Sequence, residues 1–164
     1  MRQIEPITTR KRVHLHETMH IQAEPSIIFP LLCPVREYDW IPVWDCDLVY
    51  TESGVAEEGC VFQTTQDEGT DTWVISRFEP EERISFVRVD PRRTIRYDIY
   101  LEPSGDGTTL RWEQEITALN EAGDGHVAGV RREDFARQID TVERMLAHYL
   151  ETGEALDTEY HSKR

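Results

Sequence analysis

The stretch GVRREDFARQIDTVERMLAHYLETG, residues 129–153, carries the strongest structural signal in the chain. Large apolar residues recur in it at alternating steps of four and three, which is the spacing of one face of an α-helix. These residues are Phe135, Ile139, Val142, Leu146 and the pair Tyr149–Leu150. Acidic residues four positions before arginines, and a glycine at the end, predict a helix from about Val127 to Gly153. Because an isolated amphipathic helix is barely stable in water, its apolar face requires a partner surface.

The preceding residues supply that surface as a series of predicted β-strands. In the first strand, apolar and polar residues alternate from Val13 to Ile21, which predicts one buried face. Residues 25–32 then predict a short apolar helix that ends before Pro34. Tight turns between the later strands indicate neighbouring antiparallel pairs. The later strands are LVYTES (48–53), GCVFQTTQ (59–66), TDTWVISRFE (70–79), RISFVRVD (83–90), RTIRYDIYLE (93–102) and GTTLRWEQEIT (107–117).

Several polar side chains fall in the apolar register of these strands. Tyr97 alternates with isoleucines, Gln114 follows Trp112 on one face, and Arg88 shares the parity of Phe86. Glu17 is the one charge in the apolar register of the first strand. A buried polar group requires a hydrogen-bond partner, so these side chains either satisfy one another or bind a ligand.

Composition excludes several classes of function. A net charge of −14 and an isoelectric point near 4.8 argue against nucleic acid and against an anionic membrane surface, because both attract clustered Lys and Arg. With 38% hydrophobic residues, the 164 residues predict one globular domain, 1–164, with flexible ends at 1–11 and 154–164. No long apolar run and no signal-peptide core occur, so we expect a cytoplasmic protein.

The cysteines and lysines exclude particular chemistries. Cys33, Cys46 and Cys60 are odd in number and lack CxxC spacing, so neither a disulfide framework nor a zinc knuckle is indicated. Only Lys11 and Lys163 are present, both near the ends, which argues against a Schiff-base mechanism. Cationic roles in any site would therefore fall to arginine.

Histidines in the first strand raise the question of a metal site. His14, His16 and His20 share the face opposite the apolar one. Without a nearby carboxylate or cysteine partner this spacing favours a solvated strand face over a metal site. We therefore predict neither a metal nor a cofactor.

The segment CPVREYDWIPVW, residues 33–44, is dense in aromatic residues, prolines and charges. Tyr38, Trp40 and Trp44 offer large rigid contact areas with polar tips. Two interpretations are open: the rings close the end of the core, or they line the entrance of a ligand site.

The order strand, two short helices, six antiparallel strands and long C-terminal helix resembles the START/Bet v 1-like superfamily, which includes SRPBCC and polyketide cyclase/dehydrase-like proteins. The resemblance covers nearly the whole chain and is carried by IQAEPSIIFPLLCPVREYDWIPVW, GCVF, GDGTTLRWEQEIT and YLETG. It implies an α+β helix-grip fold, in which a curved, antiparallel, seven-stranded sheet wraps around the C-terminal helix. The pattern is more specific for fold than for function.

The resemblance also implies a cavity between the sheet and the helix, with residues 33–44 near its mouth. Such a lining suits a small hydrophobic, aromatic or lipid-like molecule, although the same side chains could simply fill the space. The implied ligand-binding residues are Tyr38, Trp40, Trp44, Phe62, Trp73, Phe86, Tyr97, Trp112, Gln114, Phe135, Ile139 and Val142.

Three functions follow from this reading. The first is ligand binding alone, which needs the fewest assumptions. The second is a cyclase or dehydratase reaction, with Glu37 and Asp39 as acid/base candidates and Tyr97 and Arg88 orienting the substrate or stabilising an enolate. Pairing of either carboxylate with Arg36 would be the structural alternative. The third is a regulatory role through a basic protein partner, and a homodimer is compatible with any of the three.

Overall fold

A computed structural model describes residues 9–67 and 69–157. The strands are β1 (Arg12–Ile21), β2 (Asp47–Tyr50), β3 (Val61–Gln66), β4 (Gly69–Glu79), β5 (Arg83–Val89), β6 (Arg93–Ser104) and β7 (Gly107–Ala118). The helices are α1 (Pro25–Ile28), α2 (Pro34–Glu37), α3 (Glu121–Ala128) and α4 (Arg132–Thr152), and a 3-10 turn at Phe29–Leu32 joins α1 to α2.

The described strands form one curved antiparallel sheet of seven strands in the order β1-β7-β6-β5-β4-β3-β2. Strands β2 to β7 follow one another as neighbours, and β1 closes on β7, so β1 and β2 are the two edges. One side of the sheet, which we call the inner face, carries the alternating apolar residues and faces the core with α4. The predicted helix-grip fold is confirmed.

Helix α4 has the apolar face that the sequence predicts, but it begins later than expected. Phe135, Ile139, Val142 and Leu146 are buried, and Met145 joins them. The helix ends at Thr152 and is capped by Gly153, whose φ of 77° lies in the left-handed region that glycine adopts without strain. The predicted start at Val127 is wrong, because Val127 belongs to the separate helix α3.

Helix α3 is a separate element because its packing fixes it against the sheet. The Asn120 side chain caps it by accepting the Gly123 N–H at 3.0 Å. A Cβ atom at Gly123 would lie 2.0 Å from the Arg92 carbonyl oxygen, so only glycine permits this close approach to the β5–β6 turn.

A β-bulge in β4 changes the face on which one charged residue lies. In a regular strand, alternate residues share a face, so the sequence predicts that Arg77 lies on the same face as Trp73 and Ile75. The register against β5 shifts between Ile75 and Arg77, which turns Arg77 outward, where it pairs with Glu79 at 3.1 Å. The inner face is thereby kept apolar at this point.

The predicted flexible ends, 1–11 and 154–164, lie largely outside the described residues. Of the described part, the Lys11 backbone N–H donates to Asp124 at 2.8 Å, and Arg10 pairs with the same carboxylate. At the other end, Leu156 packs against the core. No helix among residues 9–67 and 69–157 is long and apolar enough to cross a membrane.

Candidate binding site on the inner face of the sheet

A continuous row of aromatic rings crosses the inner face. Phe62 stacks on Trp73 with ring centroids 5.4 Å apart, and Phe86 meets both edge-on. The contacts continue from Phe86 to Tyr97 and from Tyr97 to Trp112. Strand pairing explains the row, since each of the strands β3 to β7 contributes one ring to the same face. The aromatic row is defined as Trp44, Phe62, Trp73, Phe86, Tyr97 and Trp112.

The inner face is closely packed in this structure. All of the inward residues predicted to bind ligand, from both the sheet and α4, are buried, and the most accessible of them, Gln114, exposes 8% of its surface. The backbone of α4 approaches β1 most closely, which places the helix toward one edge of the sheet. The sequence leaves open whether the space is empty or filled; in the structure, the side chains that line it are almost inaccessible to solvent.

Residues 33–44 divide between the core and the surface. Trp40 is fully buried and its indole N–H donates to the Leu31 carbonyl at 2.8 Å, so it closes the end of the core. Trp44 is half-buried and meets Phe62 edge-on at 6.4 Å. Tyr38 is 48% exposed, and its hydroxyl bonds to Asp45 and to the backbone of Cys46. Of these three rings, only Trp44 reaches the aromatic row.

The proposed acid/base residues lie in a different region from the aromatic row. Asp39 is exposed and accepts from Arg36 at 2.7 Å, the ion pair considered as its structural alternative. Glu37 is half-buried at the end of α2. Burial, followed by the charge of Glu37, raises the pKa of the Cys33 thiol to about 12, so Cys33 is poorly suited to act as a nucleophile.

Arg88, predicted from the sequence to orient the substrate or stabilise an enolate, belongs to a buried ion cluster at one end of the inner face. Its guanidinium donates to Asp71, and its Cζ lies 4.5 Å from the centroid of the Trp73 ring. Arg93 lies 3.4 Å from Asp71 and 3.3 Å from Asp90. The ion cluster is defined as Asp71, Arg88, Asp90 and Arg93, all with at most 9% exposure.

The ion cluster is electrically balanced within the chain. Burial by itself would raise the pKa of Asp90, but hydrogen bonds from the Arg92 backbone and side chain, and the charge of Arg93, hold it below its ordinary value. Arg93 also donates to His126 of α3 at 3.3 Å. Sequence reasoning identified Arg88 as an inward residue but missed Asp71 and Arg93. Both could have been found, because Asp71 lies two residues before Trp73 and Arg93 two residues before Ile95, which places each on the inner face of its strand.

A second polar group occupies the opposite side of the inner face. Trp112 of β7 lies directly opposite Glu17 of β1, and Gln114 lies two residues further along β7. The Trp112 indole Nε1 is buried and has no hydrogen-bond partner among the described residues. Glu17 is half-buried in the inward register that the sequence predicts. We call Glu17, Trp112 and Gln114 the inner polar patch.

The remaining candidates for metal or redox chemistry do not converge. His14, His16 and His20 are exposed on the outer face of β1, as predicted. Within residues 9–67 and 69–157, no group of His, Cys, Asp and Glu is arranged to hold a metal ion. Cys33, Cys46 and Cys60 are free thiols.

Comparison with known families relates the chain to a described group. Residues 12–151 match the family described as "Polyketide cyclase / dehydrase and lipid transport". The chain belongs to this family. The resemblance inferred from the sequence is thereby confirmed at the level of the superfamily, and the match extends over every strand and over α4 up to Glu151.

Solved structures share the fold of this family member at low sequence identity. An uncharacterized protein from Rhizobium leguminosarum has a TM-score of 0.64 at 15% identity, covering 85% of this chain and 97% of that one. Ginseng major latex-like protein 151 from Panax ginseng has a TM-score of 0.62 at 15% identity, covering 84% and 97%. A protein from the dynemicin biosynthetic locus has a TM-score of 0.58 at 20% identity, covering 86% of this chain and 48% of that one. No curated protein matches the sequence.

Proposed function

We propose that the protein binds a small, largely apolar molecule between the inner face of its sheet and α4. The aromatic row is the observation that carries this proposal. Rings in edge-on and stacked contact offer a large apolar surface with polarisable faces, which suits an aromatic or lipid-like ligand. Membership of a family described by cyclisation, dehydration and lipid transport is consistent with such a ligand.

The packed inner face sets a condition on binding. Because the ring-bearing side chains are nearly inaccessible, a ligand must displace some of them or move α4 away from the sheet. Binding would then follow or accompany an opening of the structure, so we expect association to be slower than for an open pocket. Trp44 at the margin of the aromatic row, half-buried, is the ring best placed to move first.

Native mass spectrometry of freshly purified protein is the direct test. A small molecule released on denaturation would support the proposal and identify the chemical class. Phe86→Ala, at the centre of the aromatic row, should weaken retention of that molecule, whereas Tyr50→Ala, an exposed position, should leave it unchanged. Bare protein that also fails to bind fluorene, a rigid three-ring hydrocarbon, would contradict the proposal.

A cyclase or dehydratase reaction is the second candidate, favoured by the family description. The side chains that the sequence proposes for it belong to two regions. Glu37 and Asp39 lie in and after α2, while Tyr97 and Arg88 lie on the inner face. Arg88 is already bound to Asp71. Turnover of a released ligand, and its loss in Glu37→Gln, would establish the reaction, and a ligand returned unchanged would leave binding alone.

A protein partner is the third candidate, and the edge strand β2 is the observation that favours it. Leu48, Val49 and Tyr50 are each between 41% and 60% exposed, on an edge strand of the sheet that the described residues form. Exposed acidic residues at Asp45 and Asp47 adjoin this strand. An extended basic segment would match both features, and adding such a peptide should protect β2 amides from hydrogen exchange. The predicted homodimer is tested in the same samples by light scattering.

A further inference from the structure

Trp112 differs from the other tryptophans in its hydrogen bonding. The chain has four tryptophans, and the indole N–H groups of three of them donate at 2.8 to 2.9 Å. Those acceptors are the Leu31 carbonyl, the Pro34 carbonyl and the Thr64 hydroxyl. Trp112 is 4% exposed, and its Nε1 has no such acceptor in the described part of the chain. Buried N–H groups are rarely left unpaired, so this donor calls for an acceptor that the described residues do not supply.

Two polar neighbours of Trp112 also lack a side-chain partner among the described residues. Glu17, directly opposite on β1, forms no ion pair with a described residue. Directly opposed residues of antiparallel strands have Cβ atoms about 5 Å apart, so one small group can touch both side chains. Gln114 is 8% exposed, and its amide makes no hydrogen bond to another described side chain. The Trp112 N–H is a donor, the Glu17 carboxylate is an acceptor, and the Gln114 amide can act as either. These three groups therefore lie on the same part of the inner face.

We infer that the inner polar patch binds an uncharged hydroxyl group of the ligand, an inference that rests on the proposed function. The hydroxyl oxygen accepts the Trp112 N–H, and its hydrogen is donated to the Glu17 carboxylate. The rest of the ligand lies against the aromatic row, whose Tyr97 ring contacts Trp112 at 5.9 Å. The ligand class is therefore a hydroxylated apolar molecule.

The same patch disfavours two related classes. A carboxylate or phosphate would approach the Glu17 carboxylate, and like charges in a partly buried site repel strongly. A plain hydrocarbon would leave the Trp112 N–H unpaired. A carbonyl group can accept from Trp112 and Gln114 but offers no hydrogen to Glu17, so it ranks between the hydroxyl compound and the hydrocarbon.

Three compounds on one skeleton test this ranking. Fluorene, 9-hydroxyfluorene and fluorene-9-carboxylate share three fused rings and differ in the group at one carbon. Isothermal titration of the full chain should give 9-hydroxyfluorene about 3- to 10-fold tighter than fluorene, the range of about one net hydrogen bond, with the carboxylate weakest. The direction of the difference in affinity between 9-hydroxyfluorene and fluorene is informative, because a purely apolar site would bind the hydroxyl compound more weakly than fluorene.

Substitutions connect the preference to Trp112. Trp112→Phe keeps an aromatic ring and removes the N–H, so the ratio of the affinities for the hydroxyl compound and for fluorene should fall toward 1, whatever happens to fluorene binding itself. Trp73→Phe is the matched control, because its N–H is used by Thr64, and it should keep the preference. If Trp112→Phe does not fold, Glu17→Leu removes the acceptor and should also abolish the preference.

The outcomes separate this inference from the proposed function. If none of the three compounds binds, the proposed ligand site itself fails. If fluorene binds and 9-hydroxyfluorene shows no advantage, the apolar site stands and the hydroxyl inference is overturned, with a bridging water as the partner of Trp112. An advantage that survives in Trp112→Phe also overturns it.

Discussion

The polar groups on the two sides of the inner face differ in whether they are paired within the described chain. On the side of β4 and β5, Arg88 is bound to Asp71, and the Trp73 N–H is bound to Thr64. On the side of β7 and β1, the Trp112 N–H has no partner in the described chain, and Glu17 opposite it has no ion pair there. The first side is chemically complete without a ligand, and the second is not. Burial alone therefore does not identify a site, since both sides are buried.

This difference predicts opposite responses to substitution. Where buried groups are paired with each other, removing one leaves its partner unsatisfied, which is expensive in free energy. Where a group has no partner, removing it leaves nothing behind. Stability measurements on the free protein can therefore test the comparison before any ligand is known.

The largest effect is expected for Asp71→Asn. The substitution leaves the buried Arg88 guanidinium without its carboxylate and weakens the environment of Arg93, which should lower the free energy of unfolding by about 3–5 kcal/mol. Urea denaturation measures the change. Asp39→Asn, in the exposed pair with Arg36, is the control and should change stability by less than about 1 kcal/mol. Equal effects would mean that the ion cluster is more hydrated than its burial indicates.

The next effect concerns two tryptophans on the same face. Trp73→Phe removes a ring and leaves the buried Thr64 hydroxyl without its donor, whereas Trp112→Phe removes a ring and an unpaired N–H. We expect Trp73→Phe to destabilise the protein by about 1–3 kcal/mol more than Trp112→Phe. Thermal and urea unfolding of both variants give the difference. A larger loss in Trp112→Phe would show that Trp112 has a partner within the chain.

Sequence periodicity predicts most of what is regular in this fold. The alternation of β6 and β7 puts Tyr97 and Gln114 on the inner face, and the helical spacing of Phe135 and Ile139 predicts the buried face of α4. These predictions succeed because period and burial are tied by geometry within one element. Glu17 in the inward register of β1 is another example.

Features that depend on two elements at once escape sequence reasoning. The pairing of Asp71 with Arg88 requires the register of β4 against β5, and the outward turn of Arg77 requires the bulge in that same pairing. In residues 33–44, where no strand or long helix gives a period, nothing in the sequence separates the core residue Trp40 from the exposed Tyr38. The start of α4 depends in the same way on the packing of α3.

A pH-dependent effect follows from Asp90 on the paired side. Its pKa in the folded protein is lower than the ordinary value of 3.8, so its contribution to stability is present above that value and is lost as the pH falls through the folded pKa. Asp90→Asn should therefore be less stable than the wild type at neutral pH and lose less stability below pH 3.8. Urea denaturation at a series of pH values from neutral to acidic measures how the free energy of unfolding of each protein depends on pH. If the free energies of unfolding of the two proteins changed in parallel with pH, the predicted contribution of Asp90 would be contradicted.

The smallest effect is expected for Gln114→Leu. Its side-chain amide has no hydrogen bond to another described side chain, so an apolar residue of similar size should leave the free energy of unfolding within about 1 kcal/mol of the wild type, or raise it. Gln63→Leu is the matched control, because the Gln63 amide donates to Thr72 at 3.1 Å, and its loss should be the larger one. A clear destabilisation by Gln114→Leu would mean that the inner polar patch is satisfied within the chain. In that case the two sides of the inner face would not differ, and the reason for placing the polar end of a ligand beside Trp112 would disappear.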